Sequence, residues 1–201
     1  MTSEGRLGWI GPTRDAALLR RAADFLLSLG VDQVVYLGNG TTLTRIVDEW
    51  VRELGGDGRG FLERVVGVAQ DGTPDQIAEL LESDRAIRTL VKLRTLPPVP
   101  SRAVEMLNGR IVLAVHDKKV LDEDDIANAS VIVYGRSKEW LFKRFGPRYF
   151  LTPGPLEAGR VAVLEDDGEG HLNLIAYELA SGEAVERETL QGASTRMTVA
   201  G

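Results

Sequence analysis

The sequence predicts an α/β protein that ends in an antiparallel meander of strands. In the first three quarters of the chain, short apolar segments alternate with longer segments whose apolar residues recur every three or four positions. This alternation is typical of strand–helix–strand units, which form a parallel sheet covered by helices. After Tyr149 the helical periodicity stops, and short β-type segments separated by turns follow. We expect one domain over residues 1–190 and a flexible tail over residues 191–201.

The first two strand–helix units carry the clearest local signals. The apolar residues 7–10 predict a buried strand, because a Gly-Pro loop follows them directly. Asp15 can cap a helix that continues to Leu29, and Gly30 suits the left-handed conformation in which many helices end. The second strand and the second helix are predicted at residues 34–37 and 42–54.

The rest of the chain repeats the alternation and then changes to strands alone. The apolar residues 65–69 predict a strand, and Thr73 with Pro74 predicts the start of a helix, because proline fits the first helical turn. An acidic segment at residues 122–125 predicts a helix start, since carboxylates are favourable at the positive end of the helix dipole. Buried strands are predicted at residues 111–115 and 131–134, and meander strands at residues 161–164, 172–179 and 184–190.

Composition restricts the classes of function that the chain can serve. Its 24 basic and 30 acidic residues give a net charge of −6, which argues against a general nucleic-acid footprint. Because there is no cysteine, disulfides, thiolate metal sites and cysteine nucleophiles are excluded, and two histidines cannot form a histidine-rich site. We find neither a membrane-length apolar run nor a signal peptide. We therefore expect a cytoplasmic protein that neither inserts into membranes nor binds nucleic acid.

Four short loops, each following an apolar run, define the candidate site. They read Gly11-Pro12-Thr13-Arg14, Gly38-Asn39-Gly40, Gly135-Arg136-Ser137-Lys138 and Thr152-Pro153-Gly154-Pro155, and another apolar run ends in Val115-His116-Asp117. In this order the segments resemble the motifs of the calcineurin-like metallophosphoesterases, especially the small bacterial and archaeal phosphodiesterases. The resemblance covers about residues 7–188. It implies a four-layer αββα sandwich of two mixed sheets flanked by helices, with the loops at one edge.

The resemblance also implies which positions correspond to the family's metal ligands, and most of them carry unsuitable side chains. Proline has no side-chain donor atom, and arginine and lysine are cationic hydrogen-bond donors. An asparagine amide is an implausible bridge between two cations. We therefore expect no metal, no other cofactor and no two-metal hydrolysis. These vestigial positions are Pro12, Arg14, Asn39, Asp71 in the loop after the predicted strand at residues 65–69, His116, Arg136 and Lys138.

Two interpretations remain open for the polar residues of these loops. Arg14, Arg136 and Lys138 can together hold a phosphate or carboxylate, since fixed cations can replace the charge of a metal. They can instead form salt bridges with nearby acids, for which Asp15, Asp71 and Asp117 are candidates. His116 is either a proton donor or anion contact, or a strand-end residue hydrogen-bonded to backbone.

Two other features also have two interpretations each. Trp140 follows the third loop, where it can shield the site, anchor a partner or pack in a helix. Residues 122–125 resemble a metal-binding run, but an acidic helix start explains them, and residues 166–169 are typical of a solvated hairpin turn.

The leading hypothesis is a catalytically inactive metallophosphoesterase-like pseudoenzyme that acts as a protein-interaction scaffold with an unidentified protein partner. The resemblance offers a precedent, because the family includes a eukaryotic membrane-sorting subunit with a degraded site that works by binding partners. One alternative is a binding protein for a small anionic ligand, a phosphate or a nucleotide, held by Arg14, Arg136 and Lys138. Another is a phosphodiesterase with an atypical metal site.

Overall fold

Two β-sheets packed face to face form the centre of the molecule, and helices cover their outer faces. The computed structural model describes residues 5–55 and 60–191, with the backbone alone at Asp71. Most of the predicted tail, residues 192–201, lies outside this description. The four-layer arrangement of two mixed sheets flanked by helices is confirmed. In the described parts of the chain, no helix is both long and apolar enough to cross a membrane.

The first half of the chain builds most of the helical cover. Asp15 caps the first helix by accepting the Leu18 N–H at 3.0 Å, and Thr73 forms a capping box with Gln76 at the start of the fourth. The elements are β1 (Arg6–Ile10), α1 (Ala16–Ser28), β2 (Gln33–Tyr36), α2 (Thr42–Glu53), α3 (Phe61–Asp71), α4 (Pro74–Leu90) and β3 (Leu93–Thr95).

The second half builds the second sheet and then returns to the first. Single turns of 3₁₀ helix, Lys118–Val120 and Leu156–Ala158, lie in two of its connections. Its elements are β4 (Ala103–Leu107), β5 (Arg110–Val115), α5 (Glu123–Asn128), β6 (Val131–Tyr134), β7 (Leu141–Phe145), β8 (Arg148–Thr152), β9 (Arg160–Asp166), β10 (Leu172–Glu178) and β11 (Ala184–Leu190).

Both sheets are mixed, and each has parallel strands at its centre. The first runs β11-β10-β9-β1-β2-β3, with β1, β2 and β3 parallel and the meander β9-β10-β11 antiparallel, as predicted. The second runs β4-β5-β6-β8-β7, with β5, β6 and β8 parallel and an antiparallel strand at each edge. This topology points the ends of the parallel strands in each sheet the same way.

Alternation along the strands divides the apolar side chains between separate cores. In β1, Leu7 and Trp9 face the second sheet, where they pack with residues such as Val112 and Leu151. Ile10 instead belongs to the core formed with α1 and α2. A small third core lies between the second sheet and α5. Successive side chains of a strand point to opposite faces of the sheet, so a strand buried on both faces contributes to two cores.

The prediction of a strand at residues 65–69 is wrong, because this segment lies within helix α3. Leu62 and Val66 are exposed there, whereas Val65 and Val68 are half-buried, which is the spacing of a helix. The place beside β2 in the sheet is taken by β3, which the sequence did not predict. The strands β4, β7 and β8 were not predicted either.

The two sheets approach most closely where β1 and β8 end. A Cβ atom at Gly11 would lie 1.8 Å from the carbonyl oxygen of Gly154. The Leu156 N–H donates to the Pro12 carbonyl at 3.0 Å in the same region. The contact is therefore between two backbones, and no side chain fits between them.

We predict that Gly11→Ala lowers the free energy of unfolding by about 3 kcal/mol or more, since the new methyl group must displace backbone. Urea denaturation of the purified variant would measure this. Gly67→Ala is the matched control, because Gly67 lies within α3 with open space around its Cα. There we expect the free energy of unfolding to rise by about 1 kcal/mol. A Gly11→Ala protein as stable as the wild type would show that the close approach is wrong.

Candidate functional site

Loops from both sheets meet at one edge of the sandwich, which we call the loop edge. It consists of the segments 11–14, 38–40, 116–117, 135–138 and 152–157. The first two follow β1 and β2 of the first sheet, and the others follow β5, β6 and β8 of the second. Such an edge, at the carboxyl ends of parallel strands, is where open α/β sheets bind ligands.

Backbone contacts of Leu37 join the two sheets at the loop edge. Its carbonyl oxygen lies 2.9 Å from Nδ1 of His116. A Cβ at Gly135 would lie 2.3 Å from the same oxygen, so the third loop passes directly beside the end of β2. The Arg136 N–H in turn donates to the His116 carbonyl at 2.7 Å. The residues after β2, β5 and β6 therefore form one contiguous surface.

A tyrosine that the sequence did not single out holds the first loop in place. The buried hydroxyl of Tyr36 donates to the Thr13 carbonyl at 3.0 Å and accepts the Thr13 N–H at 3.3 Å. The Thr13 hydroxyl donates to Glu157 at 2.7 Å, and this bond is the main reason that the pKa of Glu157 is lowered. The backbone N–H of Arg14 contributes to the same lowering of the pKa of Glu157. Thr13 thus sits in a fixed network that no single motif indicated.

The contact with Leu37 determines what His116 can do. A carbonyl oxygen only accepts hydrogen bonds, so Nδ1 must carry the proton and Nε2 is the nitrogen left to act as an acceptor or ligand. His116 is half-buried at the end of β5. The hydrogen bond to neighbouring backbone, one of the two interpretations of this residue, is present in the structure.

Arg136 forms a salt bridge with Asp117 across the loop edge. Its Nη1 lies 2.9 Å from Oδ2 of Asp117. The arginine side chain is 70% exposed, whereas that of Asp117 is 15% exposed. The pKa of Asp117 is lowered chiefly by the backbone N–H of Lys119 and further by Arg136, against the opposing effect of burial. Asp117 therefore joins the 3₁₀ turn after β5 to the loop after β6.

The other vestigial positions differ in their exposure and placement. Arg14, Asn39 and Lys138 are exposed at the loop edge. Asp71 lies at the last residue of helix α3, next to the turn into α4. Its assignment to a loop after a strand is therefore wrong, because the chain at this point is a helical hairpin.

Trp140 does not pack in a helix. It precedes β7, is half-buried and packs against the core between the two sheets. Its backbone also lies close to the loop after β8, since a Cβ at Gly154 would be 2.9 Å from the Trp140 nitrogen. The residue thus anchors the third and fourth loops to the core, and part of its ring reaches the surface.

The acidic segments lie outside the candidate site. Asp122 forms a capping box with Asp125 at the start of α5, as the acidic helix start predicted. Asp167, Glu169 and His171 lie close together in the exposed turn between β9 and β10. Because β9 runs antiparallel to β1, with Arg6 opposite Glu165, this turn is at the end of the sheet opposite the loop edge.

The arrangement of sheets and loops is the calcineurin-like metallophosphoesterase fold. No protein-family model matches the sequence, and no curated protein matches it. Solved structures do share the fold. A conserved uncharacterized protein from Streptococcus pneumoniae, described as a predicted phosphoesterase, is 14% identical over 94% of this chain and 98% of that chain, with a TM-score of 0.53.

Two further structures with this fold are vacuolar protein sorting proteins. Vps29 from Entamoeba histolytica, solved in complex with zinc, is 18% identical over 92% of this chain and 99% of that chain, with a TM-score of 0.53. Vacuolar protein sorting 29 from Cryptosporidium parvum is 13% identical over 92% of this chain and 96% of that chain, with a TM-score of 0.52. These similarities establish the fold and leave the function to be argued from the residues.

The side chains at the loop edge do not fit the pair of metal ions that the fold family implies. Arg136 is a cation and is engaged by Asp117, and Nδ1 of His116 is engaged by Leu37. The carboxylates of Asp117 and Glu157 are engaged by Arg136 and Thr13, which leaves Nε2 of His116 and the neutral amide of Asn39, whereas a two-metal site needs several carboxylates and imidazoles. The chemistry of this donor set therefore differs from that of a dinuclear hydrolase.

We predict that Asp117 makes the stability of the protein depend on acid pH. The pKa of Asp117 is lower in the folded protein than in the unfolded chain. Its contribution to the free energy of unfolding is therefore present above the unfolded pKa of about 3.9 and is lost as the pH falls through the folded pKa. The difference in unfolding free energy between wild type and Asp117→Asn, measured with urea from pH 6 downwards, should shrink below about pH 4.

Asp48→Asn on α2 is the control for the change in net charge, since Asp48 is exposed far from Arg136 in sequence. A difference between wild type and Asp117→Asn that stays constant down to the acid transition would contradict the assignment.

Proposed function

We propose that this protein is a catalytically inactive metallophosphoesterase-like pseudoenzyme that acts as a protein-interaction scaffold in the cytoplasm. The observation that supports the loss of catalysis most directly is the salt bridge between Arg136 and Asp117. In the motif order that resembles the fold family, Arg136 takes the position of a metal ligand, and its charge is balanced by the carboxylate of Asp117. Electrostatic repulsion by Arg136, Arg14 and Lys138 disfavours a metal ion at the same edge.

The loop edge lacks the metal ligands that would be needed to generate a hydroxide nucleophile, and this is the chemical reason for the proposal. Two-metal hydrolysis requires bound cations that lower the pKa of water and hold the phosphate. With Pro12 and Arg14 in the first loop, the site lacks the carboxylate and imidazole of that motif. His116 alone cannot replace the full ligand set, because an imidazole acting by itself supplies one of many required contacts.

The structural neighbours support the scaffold part of the proposal. Two of the proteins that share the fold are vacuolar protein sorting proteins, and one neighbour is described as a predicted phosphoesterase. The same fold thus occurs in proteins that differ in described role. Since the loop edge of this chain does not fit the hydrolytic role, we favour a role in protein interaction.

We further propose that the partner contacts the loop edge around Trp140. This aromatic ring is half-buried on the core, so it is held rigidly, and Lys138 and Glu139 are exposed beside it. Rigid aromatic side chains surrounded by charged residues are typical of interface hot spots. A proteinaceous partner with a mixed charge pattern fits this surface better than a membrane or nucleic acid.

We predict that the purified protein has no bound metal and no phosphodiesterase activity. Elemental analysis should find manganese, zinc and iron far below stoichiometric amounts, and a chromogenic phosphodiester should not be hydrolysed when manganese is added. EDTA should leave the unfolding midpoint unchanged, because a chain of this length is stabilised by its apolar cores.

Two outcomes would overturn this prediction. Stoichiometric metal with turnover that vanishes in His116→Ala would establish a phosphodiesterase with an atypical site. A rise in the unfolding midpoint with phosphate or nucleotides, lost in Arg136→Ala, would establish an anion-binding protein, because a ligand of the folded state must stabilise it. Neither effect should appear if the loop edge serves protein binding.

We predict that a partner captured from the native cell is lost when the loop edge is changed. Trp140→Ala and Lys138→Glu should each reduce crosslinking to that partner about tenfold or more, as hot-spot substitutions do. Arg85→Glu, on the exposed face of α4, is the matched charge control and should leave capture unchanged. Equal capture by all three variants would place the interface elsewhere.

A further inference from the structure

The outer face of the second sheet carries an apolar groove at its β4 edge, between that strand and α5. Its floor is formed by apolar side chains of β4, β5 and the end of α5, and its wall by the acidic start of α5. The cavity has a volume of about 270 Å³. We call it the β4–α5 groove, and its lining includes Val104, Ile111, Leu113, Ala129, Asp122, Asp124 and Asp125.

The register of β4 and β5 explains why the groove is apolar and open. Val104 lies opposite Leu113, and Met106 lies opposite Ile111, all on the outer face of the sheet. Leu113 is buried under α5, but Val104 is 57% exposed and Met106 is 63% exposed. The six-residue helix α5 is too short to cover this side of the sheet. Val104 therefore lines an unfilled cavity, and Met106 is exposed further along the same strand.

The backbone of β4 is available for pairing along the same edge. Among residues 5–55 and 60–191, β4 pairs only with β5 and is the outermost strand of its sheet. The two-residue turn at Asn108 and Gly109, both with positive φ, makes Leu107 and Arg110 the hydrogen-bonded pair next to the turn. The alternation of an antiparallel ladder then directs the N–H and C=O groups of Val104 and Met106 outward. An added strand would meet four backbone groups.

The acidic residues at the start of α5 make the groove negatively charged. Arg102 donates to Asp125 through Nε at 2.6 Å and to Asp122 through Nη2 at 2.8 Å. Glu123 and Asp124, both exposed, lie in the same turn of α5. The three lining aspartates and Arg102 leave a net charge of about −2 at the groove, and Glu123 is exposed beside it, which favours a cationic binding partner.

We propose that the β4–α5 groove binds an extended, basic segment of a partner protein. The segment adds as a strand to β4, places an apolar side chain over Val104 and Ile111, and directs Lys or Arg side chains toward Glu123 and Asp124. Backbone pairing provides affinity, while the apolar and acidic surfaces provide selectivity, as in other cases of strand addition. The residues that line this groove are not part of the loop edge, so the proposal stands independently of the proposed function.

Charge and the inner face of β4 both disfavour a second copy of this chain as the occupant. Pairing of two β4 edges would bring two negatively charged grooves together, which is unfavourable. Glu105 points inward from β4, where Gln33 donates to it at 2.6 Å. An inward-pointing charge on an edge strand is a known protection against self-association. The groove therefore suits a partner with a complementary charge.

The test uses the full chain and a fluorescent peptide of about twelve residues in which Val and Lys alternate along one face of the strand and Thr occupies the other face, because successive side chains of a strand point to opposite faces. We call it the Val/Lys peptide, and its counterpart with Glu in place of Lys is the Val/Glu peptide. Fluorescence polarisation should detect binding of the Val/Lys peptide and not of the Val/Glu peptide. Binding should weaken about tenfold between about 50 and 500 mM salt, because the charges at the rim are exposed.

Three variants and one control locate the binding. Val104→Lys places a cation on the floor of the groove, Asp124→Lys reverses a charge of its wall, and Met106→Pro removes an outward N–H that an edge strand can lose without unfolding. Each should weaken the Val/Lys peptide about tenfold while circular dichroism stays unchanged. Val185→Lys is the control, since Val185 is also exposed on an edge strand, β11, of the other sheet.

The same measurements can overturn the proposal. If the Val/Lys peptide does not bind, or binds all four variants as it binds the wild type, the groove does not take a basic strand. If sedimentation shows a dimer of the wild type that Met106→Pro abolishes, the occupant is a second copy of the chain. Equal affinity for the Val/Glu peptide would contradict the role of the acidic wall.

Discussion

The structure depends on backbone-to-backbone contact at the point where the two sheets meet. Gly11 lies against the carbonyl group of Gly154, and Gly135 lies against the carbonyl group of Leu37, with no room for a Cβ atom at either glycine. These two contacts fix the ends of β1, β2, β6 and β8 relative to one another. The loops of the candidate site therefore have their positions set by the sandwich itself, and the chemistry of their side chains can change without altering the fold.

At the loop edge, internal hydrogen bonds and one salt bridge connect polar groups near the ends of the parallel strands. The carbonyl of Leu37 accepts a hydrogen bond from His116, and Asp117 forms a salt bridge with Arg136. The Tyr36 hydroxyl bonds both the N–H and the carbonyl of Thr13. Each contact satisfies a polar group near the sheet ends locally. A site organised in this way is rigid and electrically balanced, which suits a binding surface better than the assembly of two cations.

The two proposed binding surfaces differ in the forces that they offer a partner. The loop edge presents an anchored aromatic ring, Trp140, among exposed charges of both signs. The β4–α5 groove instead presents unpaired backbone, an apolar floor and net negative charge. In the two proposals, shape selects the partner at the loop edge, and backbone pairing selects it at the groove.

Elements with local signals could be predicted from the sequence. Apolar runs next to Gly-Pro or Gly-Asn loops predicted β1 and β2, and Asp15 and Thr73 predicted helix starts. The turns after residue 165 predicted the meander. It also indicated the segment order of the fold, because the loops keep the family's sequence of motifs after each buried strand. The Asn108-Gly109 turn was a further local signal, from which the hairpin of β4 and β5 could have been predicted.

Tertiary structure alone decided the features that depend on distant partners. Residues 65–69 are as apolar as a strand, and they form a helix because β3 occupies the place beside β2. Short edge strands such as β3 and β7 carry too few residues to show a period, so their pairing appears only in the assembled sheet. Likewise, no spacing along the chain reveals that Tyr36 holds Thr13 or that Asp117, and not another acid, pairs with Arg136. Local preference acts over a few residues, whereas these contacts join segments that only the packed sheets bring together.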